Sequence, residues 1–265
     1  MTKPIVFVLT TLLMASCTTA PSGRSQLMMV SDSQMNQLGA TSFDQLKSDG
    51  KLANQPRQLA YTRCIVDALV RELPSEWQST AWEVQLFDDA SPNAFALPGG
   101  KVGVNTGMLT LATDQDQLAA VLGHEIAHVT FRHSGERVSQ NIVAQTGLSV
   151  AGAVASARTS PETARAVTSL LGAGAQVGVL LPFSRKHESE ADIYGQELMA
   201  RAGFNPQSAA TLWQNMQRQA SGRPVEWLST HPDPENRIRA LSQRSASLMP
   251  VYQQARANGR RPACR

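Results

Sequence analysis

His124, Glu125 and His128 fall in the spacing H-E-x-x-H, within His124-Glu125-Ile126-Ala127-His128. On a helix, positions four apart share a face one turn apart, so both imidazoles can reach a single ion. Zinc suits imidazole nitrogen, and a catalytic zinc site keeps one position open for water. Glu125 is displaced around the helix from both histidines, where it can face that water. Zinc lowers the pKa of such a water to roughly 7, so a carboxylate can take its proton at neutral pH. Glu125 can then hand the proton to a leaving amine, serving as base and afterwards as acid. The pattern predicts peptide-bond hydrolysis with one Zn2+ per chain, held in part by His124 and His128.

Two histidines do not complete such a site. Downstream candidates for a third ligand are His133, His187, Glu188, Glu190, Asp192 and His231. His133 lies five residues past His128 and, on a continuous helix, turns well away from the pair. Glu188 and Asp192 are four apart and share a helix face. One can bind metal while the other orients a histidine through its second ring nitrogen. Glu190 points to the opposite side and reads as solvated or salt-bridged, so Glu188 is preferred over it.

The elements that must position these groups follow from punctuation and periodicity. Asp114 can cap a helix, with Gln117 three residues on completing a capping box, and Leu118, Val121, Leu122 and Val129 give it an apolar face. Ahead of it, Leu59, Val66, Leu69, Val70 and Leu73 mark a helix that stops at Pro74. Trp82–Leu86, Asn93–Leu97 and Lys101–Val104 read as strands, the last two joined through Pro98-Gly99-Gly100. Residues 138–182 are small and apolar and read as two helices broken near Pro161, packed on the catalytic body. Asn205-Pro206 and Asp233-Pro234 look like later helix starts.

HEIAH, followed about sixty residues on by Glu188-Ser189-Glu190-Ala191-Asp192 and Ile193-Tyr194-Gly195, resembles the zinc peptidases grouped with the CAAX prenyl endopeptidase, mitochondrial Oma and bacterial HtpX. Within that family the likeness is greatest to the BepA-like periplasmic members, over about residues 55–245. The resemblance implies a mostly helical, gluzincin-like α+β metalloprotease fold with a small antiparallel sheet. It implies Glu188 as third zinc ligand and Asp192 as the carboxylate behind a ligand histidine. Asn93, Ala94 and Phe95 match the segment whose edge strand takes up substrate backbone, a mode that suits unfolded polypeptides. Ser229-Thr230-His231-Pro232 also matches. His231 could donate to the oxyanion of the tetrahedral intermediate, or fill the open metal position as a gate. Tetratricopeptide-like repeats of many members have no counterpart in this sequence, so docking through them is not expected.

The bulk numbers agree with an enzyme. The 265 residues are 42% apolar and 17% charged, with a net charge of only +3, which excludes a basic nucleic-acid-binding composition. Lys3, an apolar run from Ile5 to Met14 and Ala15-Ser16-Cys17 have the layout of an export signal, too short to span a membrane as a helix. Met14-Ala15-Ser16-Cys17 resembles a bacterial lipobox, with Cys17 acylated. The expected organisation is a signal over 1–17, a tether over 18–40 and a metallopeptidase domain over 41–265, on the periplasmic side of a Gram-negative outer membrane. In that oxidising compartment the remaining Cys64 and Cys264 can pair. Expected substrates are misfolded or misassembled envelope proteins. The competing readings are a latent or inactive chaperone-like assembly-factor lipoprotein and a hydrolase of cell-wall peptides.

Overall fold

The computed structural model describes residues 17–144, 183–220, 227–228, 231 and 234–265. The chain divides into two compact units, Met1–Asp32 with Ser134–Pro182, and Ser33–His133 with Phe183–Arg265.

In the first unit, strands β1 (Cys17–Thr19) and β2 (Ser25–Leu27) pair antiparallel, Cys17 opposite Leu27. The turn between them uses Gly23 at φ 84°, a left-handed conformation that costs glycine nothing. Glu136, buried on helical residues 134–144, takes a two-pronged ion pair from Arg24 at 2.7 and 2.8 Å and a hydrogen bond from Gln26 at 3.0 Å. A buried carboxylate needs such donors to offset its desolvation. The stretch 18–40, expected to be a plain tether, therefore holds β1, β2 and the first half of helix α1 (Asp32–Asp49). Its few apolar residues hid the stripe Met35, Gly39 and Phe43, which is buried at four-residue spacing. Of the apolar region 138–182, residues 138–144 are helical and the rest lies outside the described residues.

The second unit is mostly helical α+β. Its sheet contains β3 (Glu83–Phe87), β4 (Ala94–Leu97) and β5 (Lys101–Asn105) in the order β3-β5-β4. β4 and β5 form the expected antiparallel hairpin, with Gly99 and Gly100 of the turn at φ 81° and 75°. β3 and β5 are parallel, so the sheet is mixed rather than purely antiparallel. Two reversals of direction, one after β3 and one after β4, leave β5 running the same way as β3. Alternation within a strand does not reveal that choice of neighbour. Val84, Leu86, Ala94, Ala96, Val102 and Val104 point to the core side. On the other side Phe43 of α1 meets Phe87 and Phe95 edge-on at 6.3 and 6.4 Å. Phe95 lies directly over Gly103, where a Cβ would come within 2.2 Å of the ring.

Helix α2 (Pro56–Val70) starts with proline in its first turn and buries Ile65, Val66 and Leu69. Short helices α3 (Ser75–Gln78) and α4 (Thr106–Leu111) precede α5 (Gln115–Thr130). In α5, Leu118, Val121, Leu122 and Ile126 are fully buried, and Gln117, His124, Glu125, His128 and Thr130 are buried with them. From Val121 onward every residue of the helix is buried, which makes it a core element fixed by its neighbours. Those neighbours are α2, β4, α6 (Arg185–Arg201) and α7 (Ser208–Ala220). Helix α8 (Pro234–Ala257) packs on α6 and α7. Asn205 does not cap α7 directly. It accepts a hydrogen bond from Gln207 N–H at 3.0 Å, and the helix begins after that turn. Asp233 lies outside the described residues.

Cys64 of α2 is disulfide-bonded to Cys264. The tail is further held by Gln115 at the start of α5, which accepts from Cys264 N–H at 3.1 Å and donates to the Pro262 carbonyl at 3.0 Å.

Candidate metal centre

Asp114 caps α5, its carboxylate accepting from Gln117 N–H at 2.8 Å. The Gln117 side chain donates to the Asp114 carboxylate at 3.0 Å and accepts from the Thr113 N–H at 3.4 Å, rather than from the backbone N–H of the cap residue. Two turns further along, His124 and His128 bring their Nε2 atoms to 3.0 Å. Ser184 caps α6, accepting from His187 N–H at 3.2 Å, and so places Glu188 in the first turn.

The Glu188 carboxylate lies 3.5 Å from Nε2 of His124 and 3.5 Å from Nε2 of His128. His231 closes the set, with Nδ1 3.0 Å from both Glu188 oxygens and 3.2 Å from His124 Nε2. One donor atom from each of these four buried residues lies within 4.8 Å of the others. Zinc with bonds of about 2.0–2.1 Å in a tetrahedron separates its donors by about 3.3 Å, so these spacings fit the ion. The donor chemistry fits too. When both rings carry their hydrogen on Nδ1, the two Nε2 atoms at 3.0 Å have facing lone pairs, and a cation between them turns that repulsion into attraction.

Behind the donors sits a charged brace. Asp192 is 3.1 Å from His124 Nδ1. Arg237 of α8 donates to Glu188 at 2.6 Å and to both Asp192 oxygens at 2.5 and 2.7 Å, its guanidinium lying 3.9 Å over the Trp213 ring. Burial opposes ionisation of Glu188, yet hydrogen bonds from His124 and His231 outweigh it and hold the carboxyl well below its usual range. Asp192 is likewise lowered: burial works against it, but the Arg237 charge and the bond with His124 prevail. Burial and Arg237 both disfavour protonated His124, but Asp192 and Glu188 overcome them and raise its pKa to about 9. His128 goes the other way, pushed well down by burial and by its cationic neighbours.

Glu125 is buried beside this cluster. One of its carboxylate oxygens accepts from the Trp227 indole N–H at 2.8 Å and lies 3.4 Å from His231 Nε2. Trp227 precedes His231 by four residues, and their rings are 4.5 Å apart.

The structure thus brings together His124, Glu125, His128, Glu188, Asp192 and His231. It also gives parts to residues that sequence reasoning set aside. His133 does not turn away: its Nδ1 lies 2.9 Å from Nδ1 of His128. α5 ends at Thr130, and Arg132 takes a left-handed φ of 55°, so the helical projection that carried His133 away no longer applies. Nothing in the sequence announces this, because a non-glycine residue rarely adopts that conformation. Of the two alternatives for Glu190, solvated or salt-bridged, it takes the second, its carboxylate 3.1 Å from His133 Nε2. Asn93 accepts from Asn105 N–H, and Ala94 and Phe95 open the edge strand β4, which runs beside α5. Cys17 begins β1. Among the described residues no helix is long and apolar enough to cross a membrane.

A buried set of three imidazoles and a carboxylate, with a glutamate next in sequence to the first histidine, defines a mononuclear metal centre of metallopeptidase type. Residues 56–245 match the family model described as Peptidase family M48, and the chain belongs to that family. It is 40% identical over 164 residues to the mitochondrial metalloendopeptidase OMA1 of Schizosaccharomyces pombe, covering 61% of this chain and 46% of that protein. It is 31% identical over 237 residues to the beta-barrel assembly-enhancing protease of Escherichia coli K12, covering 88% and 48%. OMA1 of Saccharomyces cerevisiae is 36% identical over 182 residues, with 66% and 50% covered. The chain spans about half the length of these curated relatives.

Proposed function

We propose that this chain is a zinc-dependent endopeptidase of the bacterial cell envelope that acts on misfolded or misassembled proteins. The observation that carries the reading is the near-tetrahedral spacing of His124, His128 and Glu188 with Glu125 beside them. Zinc held by these three residues supplies a Lewis acid, which activates water and polarises the scissile carbonyl. Glu125 takes the proton from the attacking water and delivers it to the leaving amine. Asp192 accepts from His124 Nδ1–H and so keeps that ring's other nitrogen turned toward the metal. The free edge of β4, at Ala94 and Phe95, offers backbone groups to an extended substrate strand without reading its side chains. The lipobox-like Met14-Ala15-Ser16-Cys17 supports an outer-membrane anchor through Cys17, facing the periplasm. The beta-barrel assembly-enhancing proteases among the relatives support an envelope setting.

Metal analysis of the full-length protein tests the reading. Wild type should hold about one zinc per chain, Glu188→Ala should lose it, and Glu197→Ala, on the same helix, should keep it. Glu125→Gln should keep zinc and lose turnover of an unfolded protein. A wild type that takes up no zinc, or a fully active Glu125→Gln, would overturn it.

One observation favours a latent form of this enzyme, close to the assembly-factor reading. His231 stands at the fourth donor position, and Trp227 holds the Glu125 carboxylate. As a gate, His231 must swing out before water and substrate enter, so His231→Ala should raise basal turnover. A loss of turnover with zinc retained would instead make His231 the oxyanion donor.

A further inference from the structure

His128 has two ring nitrogens, and burial dictates what the second must do. When Nε2 donates to a metal, a neutral ring carries its hydrogen on Nδ1, and that hydrogen needs an acceptor. His128 is 2% exposed and has the Phe183 ring 4.1 Å from its own. An unmet N–H in such a place bears its full desolvation penalty.

Among the described residues an acceptor in reach is Nδ1 of His133, at 2.9 Å. His133 is itself fully buried, and His187 stacks on it at 4.4 Å with the planes 18° apart. To accept at Nδ1, His133 must carry its hydrogen on Nε2, which lies 3.1 Å from Glu190 Oε2. A carboxylate only accepts, so the two bonds run in one sense: His128 Nδ1–H to His133, and His133 Nε2–H to Glu190. Reversing the first would move the hydrogen of His128 onto Nε2, the atom that faces His124 and Glu188.

We propose that His133 and Glu190 are positioning residues that fix the tautomer and orientation of His128 as a metal donor. They do for the second histidine what Asp192 does for the first, by a relay one residue longer. The inference rests on the reading that His128 Nε2 binds zinc. An acceptor behind a ligand histidine commonly contributes 10–100-fold in metal affinity, which sets the size of the expected effect.

The experiment is zinc affinity of the full-length protein by chelator competition, with nitrogen-15 histidine NMR of the zinc-loaded form. His133→Phe keeps a ring in the buried space but offers no acceptor, and zinc should bind about 10–100-fold more weakly. His133→Gln offers both an acceptor and a donor and should restore most of that loss. Should His133→Phe fail to fold, Glu190→Ala against Glu190→Gln makes the same comparison, with Gln the tighter binder. In wild type the NMR should show one ring protonated at Nδ1 and metal-bound at Nε2, hydrogen-bonded to a ring protonated at Nε2. Unchanged affinity in both His133→Phe and Glu190→Ala, or a His133 ring protonated at Nδ1 alone, would overturn the inference while leaving the zinc reading intact. A wild type without zinc would overturn both.

Discussion

Arg237 serves two carboxylates with one planar fork, and the carboxylates and imidazoles around it set one another's protonation. Glu188 and Asp192 are held ionised, while His124 between them is raised to about 9. Carboxylates lowered by folding stabilise above their ordinary values of 4.5 and 3.8, and this is lost as pH falls through the folded values. A raised histidine stabilises fully below its ordinary 6.5, and that is lost as pH rises through about 9. His128, whose pKa burial pushes well down, takes stability away as pH falls below its ordinary 6.5, so the zinc-free protein should be most stable near pH 6.5. Thermal melts in chelator across pH check this. With zinc the alkaline loss should vanish, because the metal needs His124 neutral. At this scale the sequence was most legible where chemistry restricts residue type. H-E-x-x-H and the Glu188/Asp192 pair carry their geometry in their spacing. His133 was misjudged because Arg132 breaks the helix with no glycine to show it. Trp227 and Arg237 act through long-range contacts that spacing does not encode.

Between elements, the crossing of α5 and α6 is what sets the distance from the histidines to Glu188. It is made by two glycines: a Cβ on Gly195 would lie 2.8 Å from the Gly123 carbonyl carbon and from His124 N, and one on Gly123 3.0 Å from the Gly195 carbonyl oxygen. Backbone cannot yield as a side chain tip can. Gly195→Ala should push α6 off α5, costing about 1–3 kcal/mol and weakening zinc binding although every ligand remains. Gly123→Ala should do the same more mildly. Urea melts and chelator competition on both variants check the order, and equal, wild-type zinc affinity in the pair would refute it. Strands and the α5 start were legible because turn glycines and a capping aspartate mark them locally. The parallel pairing of β3 with β5 and the ordered α1 were not, since both depend on which neighbour the chain meets.

Over the whole molecule, the bond between Cys64 and Cys264 closes a loop with a sequence separation of 200. Closing so long a loop restricts the unfolded chain, so reduction or Cys64→Ser should cost about 3–5 kcal/mol in urea melts. An even pair in an expected oxidising compartment suggested this pairing from the sequence, whereas the Gln115 clasp on the tail could not be foreseen.

The same bond makes most of the polypeptide a covalent ring. A protease is exposed to its own activity, and one cut anywhere between residues 64 and 264 would leave both fragments joined. Such a nicked molecule would migrate as a single species under non-reducing electrophoresis and separate into pieces only after thiol treatment. Self-processing of this chain has to be looked for with reductant present.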